Sequence, residues 1–395
     1  MSTELPLLED LPSIRGARVL LRCEINAPIA DGVVVDDLRL SSAIPTIEWL
    51  RDQGAAVVIA AHLGRPKGVV DQKFSLAPVA RRLSELIGTE IELSDRIYGS
   101  EADSMIASLG GGDVMMLENL RFDAGEEANS PTFVANLVAP FDLYVNDAFG
   151  ASHRSHGSIV GPPLLLPSAA GLLLRSEVET LGGLLGQPAK PFIAVLGGSK
   201  VSDKLGVIEA LLNKCDRILV GGAMAFTFLA AQGYSVGDSL LEPDFVAACR
   251  ELLATGRVDV PVDIVIAEEI SEDAEADVVK AEAIPDGWKG LDIGPETAAL
   301  FADQIGEART ILWNGPMGVF EVAPFAGGTI TVAEAVAECP GFTVVGGGDS
   351  AAAVRAMHLD DQIDHMSTGG GASLEFLELG DLPGLAALRK GRTSQ

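Results

Sequence analysis

FIAVLGGSKVSDKLGVIEALL (residues 192–212) opens on an unbroken apolar run, turns at Gly197-Gly198 and passes into an apolar-periodic stretch bearing Lys200 and Lys204. A short apolar run bounded by glycine reads as a strand buried on both faces, which is typical of parallel sheets covered by helices. The spacing predicts a helix directly after the glycines, with the two lysines on one face at i, i+4. Helix N-terminal amides and two ammonium groups together make a polyphosphate site. The G-x-x-x-x-G-K-[ST] spacing of a P-loop is absent.

The same pattern extends in both directions. RVLLRC (18–23), AVVIAA (56–61), DVMML (113–117) and DLYVN (142–146) precede it, and RILVG (217–221), DIVIA (263–267), TILWN (310–314) and FTVVG (342–346) follow. Alternating with amphipathic stretches, these runs predict an α/β fold of doubly wound, Rossmann-like parallel sheets. A chain of 395 residues is too long for one ordinary core and suits two domains. SAAGLLLRSEVETLGGLLG (168–186) has helical periodicity and is followed by Pro188 and Pro191. The reading is therefore an N-terminal domain over 1–170, a connecting hinge helix over 171–190 and a C-terminal domain over 191–374.

Nearly every glycine-rich or basic motif begins at the carboxyl end of one of these strands. CEIN, HLGRP, ENLR and NDAFGASHR do so in the first half, and GGSK, GGAM, NGPMGVFE and GGGDS in the second. Open α/β sheets bind ligands beyond those ends.

Lys and Arg total 28 against 56 Asp and Glu, a net charge of −28. Such a surface repels nucleic acid and anionic membrane. Since 48% of residues are hydrophobic, the acidity belongs to a folded shell rather than to disorder. Self-repulsion of that shell is relieved by concentrated salt, which predicts a halophilic protein. Cys23, Cys215, Cys249 and Cys339 lie far apart without metal-site spacing, and the proline-broken N-terminus lacks a signal pattern. The longest apolar segment, 161–174, is too short to span a bilayer. A cytoplasmic location is expected.

Within this acidic chain, Arg22, Arg39, His62, Arg65, Arg121, His153, Arg154 and His156 make the first-half strand ends basic. Converging guanidinium groups imply a small ligand with more than one anionic group, and Glu24 and Asn26 are placed to hydrogen-bond a hydroxyl on it. The H-R-S-H run does not have the spacing of a helical zinc pair. In the second half, the glycines of FTVVGGGDSAAAV permit close phosphate approach, Asp349 is placed to hold Mg²⁺ and Ser350 to reach a phosphate oxygen. That stretch also satisfies G-x-G-x-x-A formally. The acidic ribose partner of a dinucleotide site is missing about twenty residues on, and Glu321 is the better ribose contact.

In order along the chain, RCEINAPI, DDLR, HLGRPKG, LENLRF, VNDAFGASHRSH, LGGSKVSDK, LDIGPET, WNGPMGVFE, GGGDS and HMSTGGGASLE resemble the phosphoglycerate kinase family from about Arg18 to Leu377. Together with the acidity, the resemblance points to a halophilic archaeal type. It implies two doubly wound domains joined by a helix, with residues 375–395 returning to the first domain. It also implies that Glu24, Asn26, Arg39, His62, Leu63, Gly64, Arg65, Arg121 and Arg154 bind 3-phosphoglycerate or its acyl phosphate. Lys200 and Lys204 would hold nucleotide phosphates and the migrating group, and with Arg39 form the catalytic set. Asn314, Glu321, Gly347, Gly348, Asp349 and Ser350 would hold ADP or ATP, with Asp349 on magnesium. Glu24 stands where the family usually has Asp, and Phe226 where it usually has Asn.

The implied reaction is 1,3-bisphosphoglycerate + ADP ⇌ 3-phosphoglycerate + ATP, by direct in-line transfer with domain closure in a monomer. A carboxylate is already ionised at neutral pH, so no general base is needed. That fits a sequence without a Ser-His-Asp or Cys-His constellation.

Overall fold

The computed structural model describes residues 4–393; residues 1–3 and 394–395, at the outer ends of the predicted N-terminal-domain segments, lie outside the described residues. The chain divides into two compact units, Met1–Glu179 with Asp381–Gln395, and Thr180–Gly380. The division falls inside the helix Leu172–Leu185 and not at the ends of a separate 171–190 connector. The return to the first unit comes at Asp381, a few residues after the expected 375.

The first unit is built on a parallel six-stranded sheet among the described residues. Its spatial order is Glu92–Leu93, Val114–Met116, Ala56–Ala60, Arg18–Cys23, Leu143–Asp147, Ser168–Ala170. Every residue of Ala56–Ala60 and Leu143–Asp147 is buried, as the continuous apolar runs require. Leu21, Val57, Ile59 and Val145 meet Leu40, Ile47 and Leu50 from the helix Leu38–Asp52, and Val79 and Leu83 from Ala77–Ile87. The chain winds outward from the Arg18–Cys23 strand in one direction, then crosses to place Leu143–Asp147 on its other side. That reversal creates a crevice at the carboxyl ends of these two strands.

Ser168–Ala170 is a strand rather than the first turn of the connecting helix. It pairs in parallel with Tyr144–Asn146, and the Tyr144 amide donates to the Pro167 carbonyl at 3.0 Å. The helix begins only after Gly171. There the Thr46 hydroxyl accepts from the Leu172 amide at 2.9 Å, and buried Asp147 accepts from Leu173 and Leu174 at 2.9 and 3.2 Å. The carboxylate thus meets the orphan amides of the helix start. Desolvation outweighs these bonds and raises the Asp147 pKa to about 6. A Cβ on Gly171 would stand 2.2 Å from Oδ1 and 2.7 Å from Cβ of Asp147, so Gly171→Ala must displace the whole cap. We expect a loss of about 2–4 kcal/mol in denaturant unfolding.

The second unit repeats the plan. Its parallel sheet runs Val258–Asp259, Arg217–Val220, Phe192–Leu196, Thr310–Asn314, Phe342–Gly346, His365–Met366. The reversal here lies between Phe192–Leu196 and Thr310–Asn314. Asp263–Ala267, expected in this sheet, instead forms a three-stranded antiparallel sheet with Asp277–Lys280 and Lys289–Ile293. The polar run 268–276 is too short for a crossover helix, so the chain returns antiparallel. Ile264 and Ile266 close a separate small core with Phe226, Leu229, Val236 and Ile284.

Helix Pro383–Thr393 belongs to the first unit. Its Gly384 amide donates to the Ser152 carbonyl at 2.8 Å, and a Cβ on Gly391 would lie 2.2 Å from the Pro163 oxygen.

Candidate functional site

The first unit gathers its cationic side chains beyond the reversal of the sheet. Arg22, at the end of its strand, is 1% exposed. Its Nε donates to Ser158 Oγ at 2.9 Å, its Nη1 to the Cys23 carbonyl and its Nη2 to His62 Nδ1 at 3.1 Å. An arginine only donates, so Nδ1 is the acceptor and the imidazole proton sits on Nε2. Burial, then the charges of Arg22, Arg121 and Arg39, hold the His62 pKa well below its usual value. His62 is therefore a neutral N–H donor at pH 7. His156 is lowered to about 4 by burial and by Arg121, Arg154 and Arg22. These mutual effects place Arg22, Arg39, Arg121, Arg154, His62 and His156 in one electrostatic neighbourhood.

Loops from three further strand ends complete this cluster. Arg39 Nη1 donates to the Asn26 carbonyl at 2.6 Å, and Asn26 Oδ1 accepts from the Gly64 amide at 2.9 Å. Leu63 is buried and its carbonyl accepts from Asn119 Nδ2 at 2.8 Å. Arg121 donates from Nη1 to the Gly64 carbonyl at 2.8 Å. Its buried Nε makes no hydrogen bond; a Glu127 oxygen stands 3.5 Å away. Glu24 is buried, with one carboxylate oxygen likewise unmatched. Buried groups left unmatched are costly, and a ligand with phosphate and hydroxyl groups would satisfy them. Arg65 and Arg154 are exposed.

Glu126 carries no local sequence signal for this role. It is fully buried and accepts from the Ser158 amide and hydroxyl at 2.7 and 2.6 Å. It thereby supports the serine that holds Arg22.

In the second unit the lysine arrangement differs from expectation. The helix starts at Leu205, so Lys200 and Lys204 lie in the preceding loop and not on a helical face. Gly198 takes φ +109, and the Lys204 amide closes a turn on the Val201 carbonyl at 3.0 Å. Lys200 is exposed. Lys204 is buried, its Nζ donating to the Asn314 carbonyl at 2.7 Å and to Asn314 Oδ1 at 2.6 Å. Burial lowers its pKa to about 8, against the opposing pull of Asp349 and Asp203.

Around this lysine the glycines bring backbone close. Gly315 has φ +100, and a Cβ there would stand 2.8 Å from Lys204 Nζ. Gly347 has φ +94 immediately before the helix Gly348–Ala356, with Asp349 exposed in its first turn. Ser350 points inward, where its buried hydroxyl accepts from the Gly315 amide at 2.6 Å; it supports the loop instead of reaching out to a phosphate.

Beside this cluster lies a cavity of about 740 Å³ lined by Gly198, Gly222, Gly290, Leu291, Pro316, Val319, Glu321 and Asp349, among others. Phe226 backs one wall, since a Cβ on Gly290 would fall 2.1 Å from its ring. No group of three or more metal-ligating side chains is present among the described residues. An ion held at Asp349 would therefore draw most of its ligands from phosphate and water. A second cavity, of about 680 Å³ in the first unit, is lined by Asp95, Glu101, Glu118 and Asp123 against Arg96, a net negative charge that disfavours a phosphate.

A profile of phosphoglycerate kinase matches residues 8–379. The phosphoglycerate kinase of Rubrobacter xylanophilus is 54% identical over 377 residues, covering 95% of this chain and 96% of that one. The chain belongs to the phosphoglycerate kinase family. The phosphoglycerate kinase of Salinispora arenicola is 55% identical over 392 residues, covering 96% and 98%. The solved phosphoglycerate kinase of Coxiella burnetii superposes with a TM-score of 0.86 at 39% identity, covering 98% and 99%. That of Pyrococcus horikoshii gives 0.88 at 34%, covering 99% and 100%. As a phosphoglycerate kinase family member the chain is an enzyme, a phosphotransferase with a carboxyl group as acceptor. The expectation of a halophilic archaeal type is not supported, because these sequence relatives are bacterial. Net charge governs solubility and self-repulsion and identifies no lineage.

Proposed function

We propose that the basic cluster of the first unit binds 3-phosphoglycerate or 1,3-bisphosphoglycerate and that the cavity of the second unit binds ADP or ATP. The observation that carries this reading is the cluster of cations around neutral His62, with the buried Arg121 Nε and a Glu24 oxygen left unmatched, in a chain of net charge −28. His62 Nε2–H, Arg121 Nε and the Arg39 guanidinium are donors available to a phosphorylated carboxylic acid. Glu24 and Asn26 suit its hydroxyl. Lys204 stands where a terminal phosphate, held by the Gly347–Gly348 turn, would arrive.

The bond between phosphorus and the acyl oxygen breaks as one forms to the terminal oxygen of ADP, and the carboxylate leaves already ionised. Catalysis then rests on holding the two oxygens in line and on charge neutralisation by Arg39, Lys200 and Lys204. A magnesium ion bound with the nucleotide would offset charge on its phosphate oxygens, and Asp349 is the side chain that would hold it. Because the acid and the nucleotide are assigned to different units, we infer closure about the Leu172–Leu185 helix during turnover. Action as a monomer in the cytoplasm completes the reading.

A coupled assay for ATP formation from 1,3-bisphosphoglycerate and MgADP tests it. Turnover, with 3-phosphoglycerate binding lost in an Arg121→Ala variant while ADP binding persists, is the expected result. Binding of 3-phosphoglycerate unaffected by that change would contradict the assignment.

A further inference from the structure

The LDIGPET segment contributes no cation, yet it holds a buried carboxyl group behind the nucleotide cavity. Asp292 is the penultimate residue of the strand Lys289–Ile293 and is 2% exposed. One oxygen accepts from the Ile293 amide at 2.9 Å. The other accepts at 2.7 Å from the amide of Gly328, in the first turn of the helix Gly327–Ala337. Two glycines make room for it: a Cβ on Gly318 or Gly328 would stand 2.3 or 2.5 Å from Oδ1. The loop carrying Gly318 is fastened on both sides, with the Val319 amide donating to the Leu291 carbonyl at 2.9 Å and the Met317 amide to Thr329 Oγ1 at 3.0 Å. Gly290 and Leu291 line one side of the cavity; Pro316, Gly318, Val319 and Glu321 line another.

We propose that Asp292 is a positioning residue for the nucleotide, a buried strut that sets the spacing between the 290–291 and 316–321 walls of the cavity. This rests on the assignment of that cavity to ADP or ATP. The carboxyl group occupies the volume where a side chain at 318 would otherwise project. It ties the strand end to the helix start, so the loop between them has one seating. Burial, which raises its pKa to about 7, shows that solvent does not share this contact. Displacements of about 1 Å in positioning elements can cost up to a hundredfold in rate.

The experiment compares parent, Asp292→Asn, Asp292→Ala, Gly318→Ala and the Asp292→Ala/Gly318→Ala double variant, with kcat, both KM values, MgADP titration and a thermal melt for each. Asp292→Ala and Gly318→Ala are expected to raise KM for ATP by about tenfold or more, with KM for 3-phosphoglycerate within about twofold of the parent. Asp292→Asn, which keeps the shape, gives a smaller rise. In the double variant the Gly318→Ala penalty shrinks in part, because the added methyl no longer meets the carboxyl group, although the Cβ of residue 292 still stands 2.6 Å away. If Asp292→Ala fails to fold, Asp292→Asn and Gly318→Ala carry the test. Unchanged KM for ATP in these variants, or penalties that simply multiply, overturns the role of Asp292 while leaving the cavity assignment intact. A parent that does not bind MgADP overturns the assignment itself.

Discussion

Lys204→Met yields a folded protein whose turnover falls by about two to three orders of magnitude. The buried ammonium is pinned by both oxygens of Asn314 at the reversal of the second sheet, so its charge is fixed where the transferring phosphoryl group would develop its own. Water is largely excluded there, which strengthens the interaction lost. The free protein tolerates the change. Its lysine pKa of about 8 lies below the 10.5 of a lysine in water, so the folded state holds this proton less tightly than the unfolded chain does. This unfavourable contribution is relieved as pH rises from 8 to 10.5. Methionine removes it, at the cost of two Asn314 acceptors, and unfolding free energy should stay within about 2 kcal/mol of the parent. Nucleotide phosphates next to the ammonium raise its pKa, so MgADP binding above pH 8 takes up a proton and weakens as pH increases. Calorimetry in buffers of different ionisation enthalpy measures that uptake, which should vanish in Lys204→Met. Unchanged turnover in this variant would remove the lysine from the mechanism.

Arg39→Ala should reduce turnover by about a hundred- to a thousandfold and leave the melting curve nearly unchanged. Arg39 is only half-buried, and its Nη1 donates to the Asn26 carbonyl. Little packing depends on it, unlike Arg22. The effect should lie in kcat more than in KM for 3-phosphoglycerate, since His62 and Arg121 still hold the acid. Loss of KM alone would make Arg39 a ground-state anchor. Steady-state kinetics together with a thermal melt separate these outcomes.

The strand order could not be read from residues 18–23 or 310–314 themselves, but their burial could, because an unbroken apolar run fits only a doubly covered strand. Location of the basic motifs at strand ends followed from the same pattern. Ser168–Ala170 was obscured because Ser-Ala-Ala is short and has no strand propensity of its own; pairing with Tyr144–Asn146 supplies it. Asp263–Ala267 has the composition of a parallel strand, and only the brevity of the following connection turns it antiparallel. At Lys200 and Lys204 the i, i+4 spacing suggested a helix, whereas Gly198 at φ +109 delays the helix to Leu205. The contact of Arg22 with His62 and that of Glu126 with Ser158 span 40 and 32 residues in sequence. No local pattern encodes such separations. Asp292 carries no signal in the LDIGPET segment, since its neighbours Gly318 and Gly328 are identifiable only in three dimensions.

Helix Pro383–Thr393 has a consequence for how the molecule can be divided. The second unit occupies one uninterrupted run, Thr180–Gly380, whereas the first is split between the two ends of the described chain. The Ser152 carbonyl of the first unit has its partner only when Gly384, more than 200 residues on, is present. The unit assigned to the nucleotide can therefore close on itself without the last 15 residues, whereas the unit assigned to the acid cannot. A released chain that stops at Gly380 would be expected to retain ADP binding and to lose 3-phosphoglycerate binding.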